Sequence, residues 1–379
     1  MIVLGSTGSI GTSALEIAKR YHLKVEALVA GHNLTLLNQQ ILSFSPKKVV
    51  IATQEEAAKI TPHFKGELYY GNEGIKRVIL ESQSQLVVNA LVGFLGLVPT
   101  LWAISSGKKV ALANKESLVV GGNFIDTSKI IPIDSEHFGL MYLMNFNPLL
   151  RPIRKLYITA SGGAFRDLDL SLIPSQKAQE ALKHPNWKMG KKITIESATM
   201  VNKLFEVLEA YYLFKTKSIE GRIERNSHIH ALVEFWDGSV VAHLANANMQ
   251  LPIAYALAYG LGEDFLKDFF QNFSHTPIID PLDFSNTPYQ LSPIDTKRYP
   301  LWDFKKTLLN NPQLGVVLNA SSEIAIEAFL QDKITFGKIA YLIESAMDSF
   351  SNIAYEDIEE ILTINQQVRD FTLKLLENC

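Results

Sequence analysis

The chain has 379 residues, 47% hydrophobic and 20% charged, with a formal net charge of -3 and a pI near 6.3. That length allows two or three domains with buried cores, and the lack of a basic excess or stripe argues against a nucleic-acid partner. The single cysteine, Cys379, excludes an internal disulfide and a cysteine-based zinc site, as expected of a cytoplasmic protein in a reducing compartment. Met1–Gly5 shows no basic segment followed by an apolar run, so no secretion signal is expected. Ser82–Gly107 carries no charge, but Asn89, Gly93, Gly96 and Pro99 interrupt it. It reads as a buried strand at Leu86–Ala90, a glycine loop and a helix at Pro99–Ser105, not as a membrane partner.

Met1–Leu4 is a short apolar strand, followed by Gly5-Ser6-Thr7-Gly8-Ser9-Ile10-Gly11 and a helix over Thr12–Tyr21. Strand, glycine-rich turn and helix make a dinucleotide cradle, in which backbone and helix N-terminus meet a pyrophosphate. The spacing G-x-x-G-x-x-G is a variant of the usual fingerprint, and tight turns of this kind also occur without ligands. After the second strand, Lys24–Ala30, stand Gly31, His32 and Asn33, where NAD-preferring folds place an acid. With no carboxylate there to repel a 2′-phosphate, NADP(H) is expected; Asn33 equally suits a cap for the helix Leu34–Phe44.

Alternating segments continue with a strand at Lys48–Ile51, a helix at Gln54–Ile60, a strand at Leu68–Tyr70 and a helix at Gly74–Glu81. Leu86–Ala90 and Val110–Leu112 complete a doubly wound α/β pattern. Asn114-Lys115-Glu116-Ser117 follows a strand's carboxyl end, where ligands bind in such folds, and reads either as a site or as a helix start with a first-turn acid.

Ile131-Pro132-Ile133-Asp134-Ser135-Glu136-His137 sets two carboxylates two residues apart. In an extended strand they share a face, so they suit a divalent cation or are two solvated acids. The strand Leu156–Ala160 leads into Ser161-Gly162-Gly163-Ala164-Phe165-Arg166, a turn for a phosphate or a hinge. His184-Pro185-Asn186-Trp187-Lys188-Met189-Gly190 is either a mobile cover that excludes water or a local apolar cluster. Beyond it, Val201, Leu204, Phe205, Leu208, Tyr211 and Tyr212 form an apolar helical stripe. Asn202, Glu206 and Glu209 line another face beside Lys203, which is either solvated or completes a metal and phosphate site.

These motifs in this order closely resemble the 1-deoxy-D-xylulose 5-phosphate reductoisomerase family. They are Gly-Ser-Thr-Gly-Ser-Ile-Gly at 5–11, Leu-Ala-Asn-Lys-Glu-Ser at 112–117, Asp-Ser-Glu-His at 134–137 and Ser-Gly-Gly at 161–163. His-Pro-Asn-Trp-x-Met-Gly at 184–190 and Ser-Ala-Thr-Met-x-Asn-Lys-x-x-Glu at 197–206 complete the set. The resemblance implies an NADPH-dependent oxidoreductase that also needs a divalent cation (Mg²⁺ or Mn²⁺, with Co²⁺ a third candidate). It would convert 1-deoxy-D-xylulose 5-phosphate to 2-C-methyl-D-erythritol 4-phosphate for isoprenoid synthesis. Asp134, Glu136 and Glu206 would bind the metal. Ser161, Ser197, Asn202 and Lys203 would hold the substrate phosphate, Lys115 and Ser135 would contact the substrate, and His184 and Trp187 would close over it. Lys115, Glu136, Glu206 and His184 would form the catalytic set. Thr7, Gly8, Ser9, Ile10, Gly31, Asn33, Asn114, Glu116 and Gly190 would serve NADPH, and the chain would be a homodimer.

Several positions depart from the family pattern. His32 stands where relatives often carry Lys or Arg, Ala164 replaces a usual Pro and Leu204 a usual Gly. Glu224-Arg225-Asn226-Ser227 stands in place of His-Pro-Gln-Ser, and Ser321-Ser322 in place of Ala-Asn before Glu323.

In the last third, His230–Phe235 and Ser239–Leu244 read as a hairpin at Asp237-Gly238. A Pro-rich linker over 274–300 precedes helices at Leu301–Asn310, Val316–Gln331, Phe336–Phe350 and Glu356–Glu377. The expected architecture is α/β with three parts. A Rossmann-like NADPH domain spans 1–130. An α+β catalytic and connective domain spans 131–273, with a flap over 161–191 and a dimer sheet. An α-helical domain spans 301–379. Two rival functions are a metal-independent NADP-dependent dehydrogenase of a phosphorylated aldehyde and a non-catalytic NADPH sensor.

Overall fold

The computed structural model describes residues 1–379 apart from 146, 148–150, 184, 188–189, 272–276, 286–287 and 378–379. The chain forms a mixed α/β fold in two compact units. One contains Met1–Ser117, Ile125–Phe138 and Asn248–Asp280; the other contains Leu118–Phe124, Gly139–Ala247 and Pro281–Cys379. The units thus divide differently from the expected boundaries, because residues 248–280 return to the first one. Among the described residues no helix is long and apolar enough to cross a membrane.

The first unit is built on seven strands: β1 (Ile2–Leu4), β2 (Ala27–Val29), β3 (Lys48–Ile51), β4 (Glu67–Tyr70), β5 (Leu86–Asn89), β6 (Lys109–Leu112) and β7 (Ile130–Pro132). They pair in the order β4-β3-β2-β1-β5-β6-β7, all parallel. β1, β2, β3 and β5 are buried at every position, the signature of strands covered on both faces. The strand order reverses at β1, which lies between β2 and β5, and ligands bind at such a switch point. The expected helix at Gln54–Ile60 is a 3₁₀ segment, Gln54–Lys59, with no buried residue and hence no apolar face to sustain an α-helix. Helix Gln250–Leu261, left unassigned by the sequence, packs against β5, β6, β7 and the helix Ser9–Arg20.

The second unit holds a mixed sheet of β8 (Ile153–Ala160), β9 (Ile219–Ile223), β10 (Ile229–Phe235), β11 (Val240–Leu244) and β12 (Ser292–Pro293), in the order β11-β10-β8-β9-β12. The hairpin at Asp237-Gly238 forms, with Gly238 at φ +86°. β9 was not foreseen; it runs parallel to β8, with Ala160 opposite Ile223. Helices Lys191–Thr199 and Val201–Phe214 are separated by Met200 in the left-handed conformation. Helices Gly315–Leu330, Phe336–Ser349 and Ile358–Glu377 pack on one another as expected, whereas the first expected helix splits into a 3₁₀ turn, Pro300–Asp303, and Phe304–Asn310.

Candidate active site

The candidate residues fall into two groups, one in each unit. In the first, the glycine-rich turn leaves β1 at the switch point. Gly5 has φ +76°, and a Cβ there would sit 2.5 Å from the carbonyl oxygen of Ala90; at Gly11 it would sit 2.2 Å from that of Gly5. Those two positions need glycine to bring the turn close to its neighbours. The helix Ser9–Arg20 starts after Gly8 with no side-chain cap and no first-turn acid, which leaves its positive end open to an anion. Thr7, Gly8, Ser9 and Ile10 lie at this accessible rim. Gln40, which carried no sequence signal, is buried and donates to the Ser6 carbonyl at 2.8 Å, fixing the turn from behind.

At the end of β2, Gly31, His32 and Asn33 are exposed, and a Cβ on Gly31 would meet nothing within 4 Å. Asn33 caps the helix Leu34–Phe44 by accepting from the amide of Leu36 at 3.2 Å. His32 Nδ1 lies 3.4 Å from Glu56, whose carboxyl is held below its ordinary value by Lys59 and, to a lesser degree, by His32. An acid therefore does face this place, arriving from the segment after β3 and not from the end of β2.

After β6, Asn114 is almost fully buried. It donates to the carbonyls of Leu91 and Gly93 and accepts from Ser117 N and Oγ, clasping the loop that follows β5. Its amide also lies 3.3 Å from Glu116 Oε2. Lys115 Nζ contacts Asp134 Oδ2 at 2.6 Å, and the second Asp134 oxygen meets His137 Nδ1 at 2.8 Å. Lys115 and His137 are both strongly buried, so these contacts are shielded from solvent.

The strand argument for Asp134 and Glu136 requires correction. β7 ends at Pro132 and a helix, Ser135–Asn145, begins three residues later. Asp134 is the residue before the helix and accepts from the amide of Glu136 at 3.2 Å, while Ser135 Oγ donates to Glu136 Oε2 at 2.6 Å. A strand-to-helix turn gathers these side chains.

In the second unit, the turn after β8 is built for rigidity. Gly162 and Gly163 have φ +92° and +68°, and a Cβ on Gly163 would lie 2.6 Å from Ala198 Cα. The Ser161 turn therefore rests directly on the backbone of Ser197–Ala198. Ser161 Oγ accepts from the Gly163 amide, Tyr299 donates to the Gly162 carbonyl, and Arg298 donates to those of Phe165 and Leu168. Burial pushes the Tyr299 phenol up to about 12, so it stays a donor. One turn beyond Met200, Asn202 and Lys203 both contact Glu206. Lys203, Glu206 and Glu209 are almost completely buried, so this polar face is interior and not solvated.

Trp187 sets its ring 6.2 Å from that of His230, and Asn186 donates to the Arg225 carbonyl and Ser227 Oγ at 2.7 Å each. Gly190 precedes the helix Lys191–Thr199 and is exposed. His184 lies outside the described residues.

Comparison with known proteins agrees along the chain. Residues 1–122 match the family described as 1-deoxy-D-xylulose 5-phosphate reductoisomerase, residues 130–214 its C-terminal domain, and residues 244–371 the DXP reductoisomerase C-terminal domain. The chain is 52% identical over 376 residues to the 1-deoxy-D-xylulose 5-phosphate reductoisomerase of Wolinella succinogenes, covering 99% of this chain and 100% of that one. It is 49% identical over 374 residues to the protein of that name from Helicobacter pylori strain Shi470, covering 98% of each. A crystal structure of DOX-P reductoisomerase in complex with NADPH, fosmidomycin and magnesium superposes with a TM-score of 0.88 at 31% identity, covering 99% of this chain and 98% of that one. The Zymomonas mobilis reductoisomerase in complex with NADPH gives 0.87 at 31% identity, covering 100% and 99%. With profiles spanning most of its length and a relative matched end to end, this chain belongs to the 1-deoxy-D-xylulose 5-phosphate reductoisomerase family.

Proposed function

We propose that this chain is an NADPH- and divalent-metal-dependent oxidoreductase that rearranges and reduces 1-deoxy-D-xylulose 5-phosphate to 2-C-methyl-D-erythritol 4-phosphate in isoprenoid biosynthesis. The observation that carries the reading within the site is the Ser161–Gly163 turn seated on the Ser197–Ala198 backbone, with buried Lys203 one turn further along. Hydroxyls, an amide and an ammonium in that arrangement suit a phosphate dianion. Ser161, Ser197, Asn202 and Lys203 hold it, so binding energy at the unreactive end orients the reacting carbons.

The donor sets fit both implied groups. Asp134, Glu136 and Glu206 offer hard carboxylate oxygens of the kind magnesium takes, with manganese and cobalt as the other candidates. When bound, the metal supplies Lewis-acid stabilisation of oxygen charge during the carbon-skeleton rearrangement, for which retro-aldol cleavage and re-addition is the form favoured. The open helix end after Gly8 fits a pyrophosphate, and NADPH supplies the hydride. Thr7, Gly8, Ser9, Ile10, Gly31, Asn33, Asn114, Glu116 and Gly190 form its binding set.

Lys115 and His137 hold the Asp134 carboxylate in one orientation, and Asn202 and Lys203 do the same for Glu206. Lys115 and Ser135 contact the substrate, while His184 and Trp187 close over it and keep water from reactive fragments. The chain is a cytoplasmic homodimer in this reading. β11 is the outer strand of its sheet and Trp236 beside it is 69% exposed, a surface suited to a second copy.

The test is NADPH oxidation with 1-deoxy-D-xylulose 5-phosphate, with and without EDTA, then with Mg²⁺ or Mn²⁺ restored. Loss with EDTA and recovery with metal are expected. Turnover indifferent to EDTA would replace this reading with a metal-independent dehydrogenase, and tight NADPH binding without turnover would replace it with a sensor.

A further inference from the structure

The loop after β9, Glu224–Ser227, is tethered to the backbone beside the candidate phosphate turn. Glu224 is 1% exposed. Its amide donates to the Ala160 carbonyl, so it continues the β8–β9 pairing beside Ser161. Its carboxylate turns inward and accepts from three backbone amides: Asn226 at 3.1 Å, His228 at 2.7 Å and Ile229 at 3.2 Å. A carboxylate has the lone pairs for that; an imidazole at the same position has one acceptor nitrogen at most. The caged turn also keeps Ser227 at φ +56°, a left-handed conformation that disfavours any residue but glycine.

The caged turn presents one carbonyl to two elements at once. Arg225 O accepts from Arg166 Nη1 and from Asn186 Nδ2, each at 2.7 Å. The same Arg166 nitrogen donates to Ser161 O at 2.9 Å. Asn186 also donates to Ser227 Oγ, and its neighbour Trp187 sets its ring edge-on to His230, just past the turn. The Arg225 guanidinium reaches back to Asp167 and, as the foremost cause, holds that carboxyl below its ordinary value. A proline at position 225 would make no such pair.

We propose that the Glu224–Ser227 turn is a positioning element for the reaction, registering the Asn186-Trp187 segment against the Ser161 turn through the peptide carbonyl of Arg225. The chain of contacts is short and stiff: Ser161 O, the planar Arg166 guanidinium, Arg225 O, the Asn186 amide. Seating of Trp187 is thereby tied to the geometry of the phosphate turn. Asn186 and Glu224 act as positioning residues, and the proposal rests on the phosphate reading of Ser161.

The experiment compares Asn186→Ala, Asn186→Asp, Glu224→Gln and Ser161→Ala in the full-length enzyme, measuring kcat, KM for each substrate and the melting temperature. Asn186→Asp keeps the shape but loses the donor to Arg225 O, so it should behave like Asn186→Ala. Both should raise KM for the sugar phosphate about tenfold, the scale of one or two lost hydrogen bonds. KM for NADPH should not move, and the melting temperature should fall by no more than about 2–4 °C. Glu224→Gln sets an amide NH₂ against backbone donors, so it should raise the same KM and also lower the melting temperature. A merely structural role would lower kcat with the active fraction and leave both KM values alone. If Ser161→Ala raises the sugar-phosphate KM while both Asn186 variants leave it unchanged, the positioning role is refuted by itself. If Ser161→Ala also leaves it unchanged, the phosphate reading falls and takes this proposal with it.

Discussion

Gly163→Ala is the sharpest test of the candidate phosphate turn. At φ +68° an added methyl incurs the left-handed penalty of about 1–2 kcal/mol. It also lands 2.6 Å from Ala198 Cα, 2.8 Å from Ala198 N and 3.0 Å from the Ser197 carbonyl carbon. These are backbone atoms, so no rotamer change relieves the overlap. Carbon atoms pack at about 3.5–4.0 Å, so the turn and the Ser197–Ala198 backbone must part by about 1 Å. Overpacking of this kind adds about 1–3 kcal/mol of destabilisation, and a 1 Å misplacement of a binding group costs about a hundredfold in rate. Gly107→Ala separates the two effects, since Gly107 has φ +80° and nothing within 4 Å of its would-be Cβ. Thermal unfolding and steady-state NADPH oxidation should show a modest loss of stability for Gly107→Ala with normal kinetics. Gly163→Ala should lose more stability and about two orders of magnitude in kcat/KM for the sugar phosphate. If Gly163→Ala matched Gly107→Ala in both measurements, the close packing of turn on helix would be no part of substrate binding.

Other perturbations probe different groups. Glu206→Gln keeps the shape beside Asn202 and Lys203 but removes the charge, so the metal concentration for half-maximal activity should rise at least about tenfold, as removal of a charged ligand predicts; an unchanged metal titration would remove Glu206 from the ligand set. Burial pulls the His243 imidazole from 6.5 down to about 4. The unfolded chain therefore binds the extra proton between these values, so stability is full above pH 6.5 and falls as pH drops towards 4, by about 3 kcal/mol in all. Denaturant titrations of His243→Phe across that range should show a flatter acid limb, and an equally steep limb would refute the assignment. Glu56→Gln frees His32 for a 2′-phosphate and should tighten NADPH up to about fivefold, the scale of an exposed ion pair, without altering NADH binding. Equal shifts for both cofactors would rule out a contact at the 2′ position.

Residue types were easier to single out in the sequence than the geometry that holds them. Asp134 and Glu136 were singled out on a two-residue strand period, yet a helix start gathers them, because β7 is three residues long and ends before the acids. Lys203 and Glu206 lie on a helix whose polar face looked as though it could be solvated; its burial depends on elements distant in sequence. Parallel strands declared themselves as apolar runs, so the first sheet was nearly complete on paper. Helix Gln250–Leu261 gave no comparable signal. It is buried on several sides, which blurs the helical period, and the strands and the helix Ser9–Arg20 that it covers lie more than a hundred residues away. Gln40 and Tyr299 each matter through a contact to one backbone carbonyl, and Glu224 through contacts to three backbone amides; such contacts leave no pattern in composition or spacing.

The late return of the chain to its first unit has a consequence during synthesis. Pro252, Ile253, Ala254, Ala256, Leu257, Ala258 and Gly260 cover one side of the parallel sheet, and Gly260 fits against Leu86 so closely that a Cβ would lie 2.5 Å away. A nascent chain that has released all seven strands still lacks this cover until residues beyond Leu261 emerge. At typical elongation rates of about 5–20 residues per second, that wait is on the order of ten seconds. Over that interval the side of β5, β6 and β7 awaiting the helix presents apolar surface to solvent, the kind of surface that makes an incomplete chain prone to aggregate.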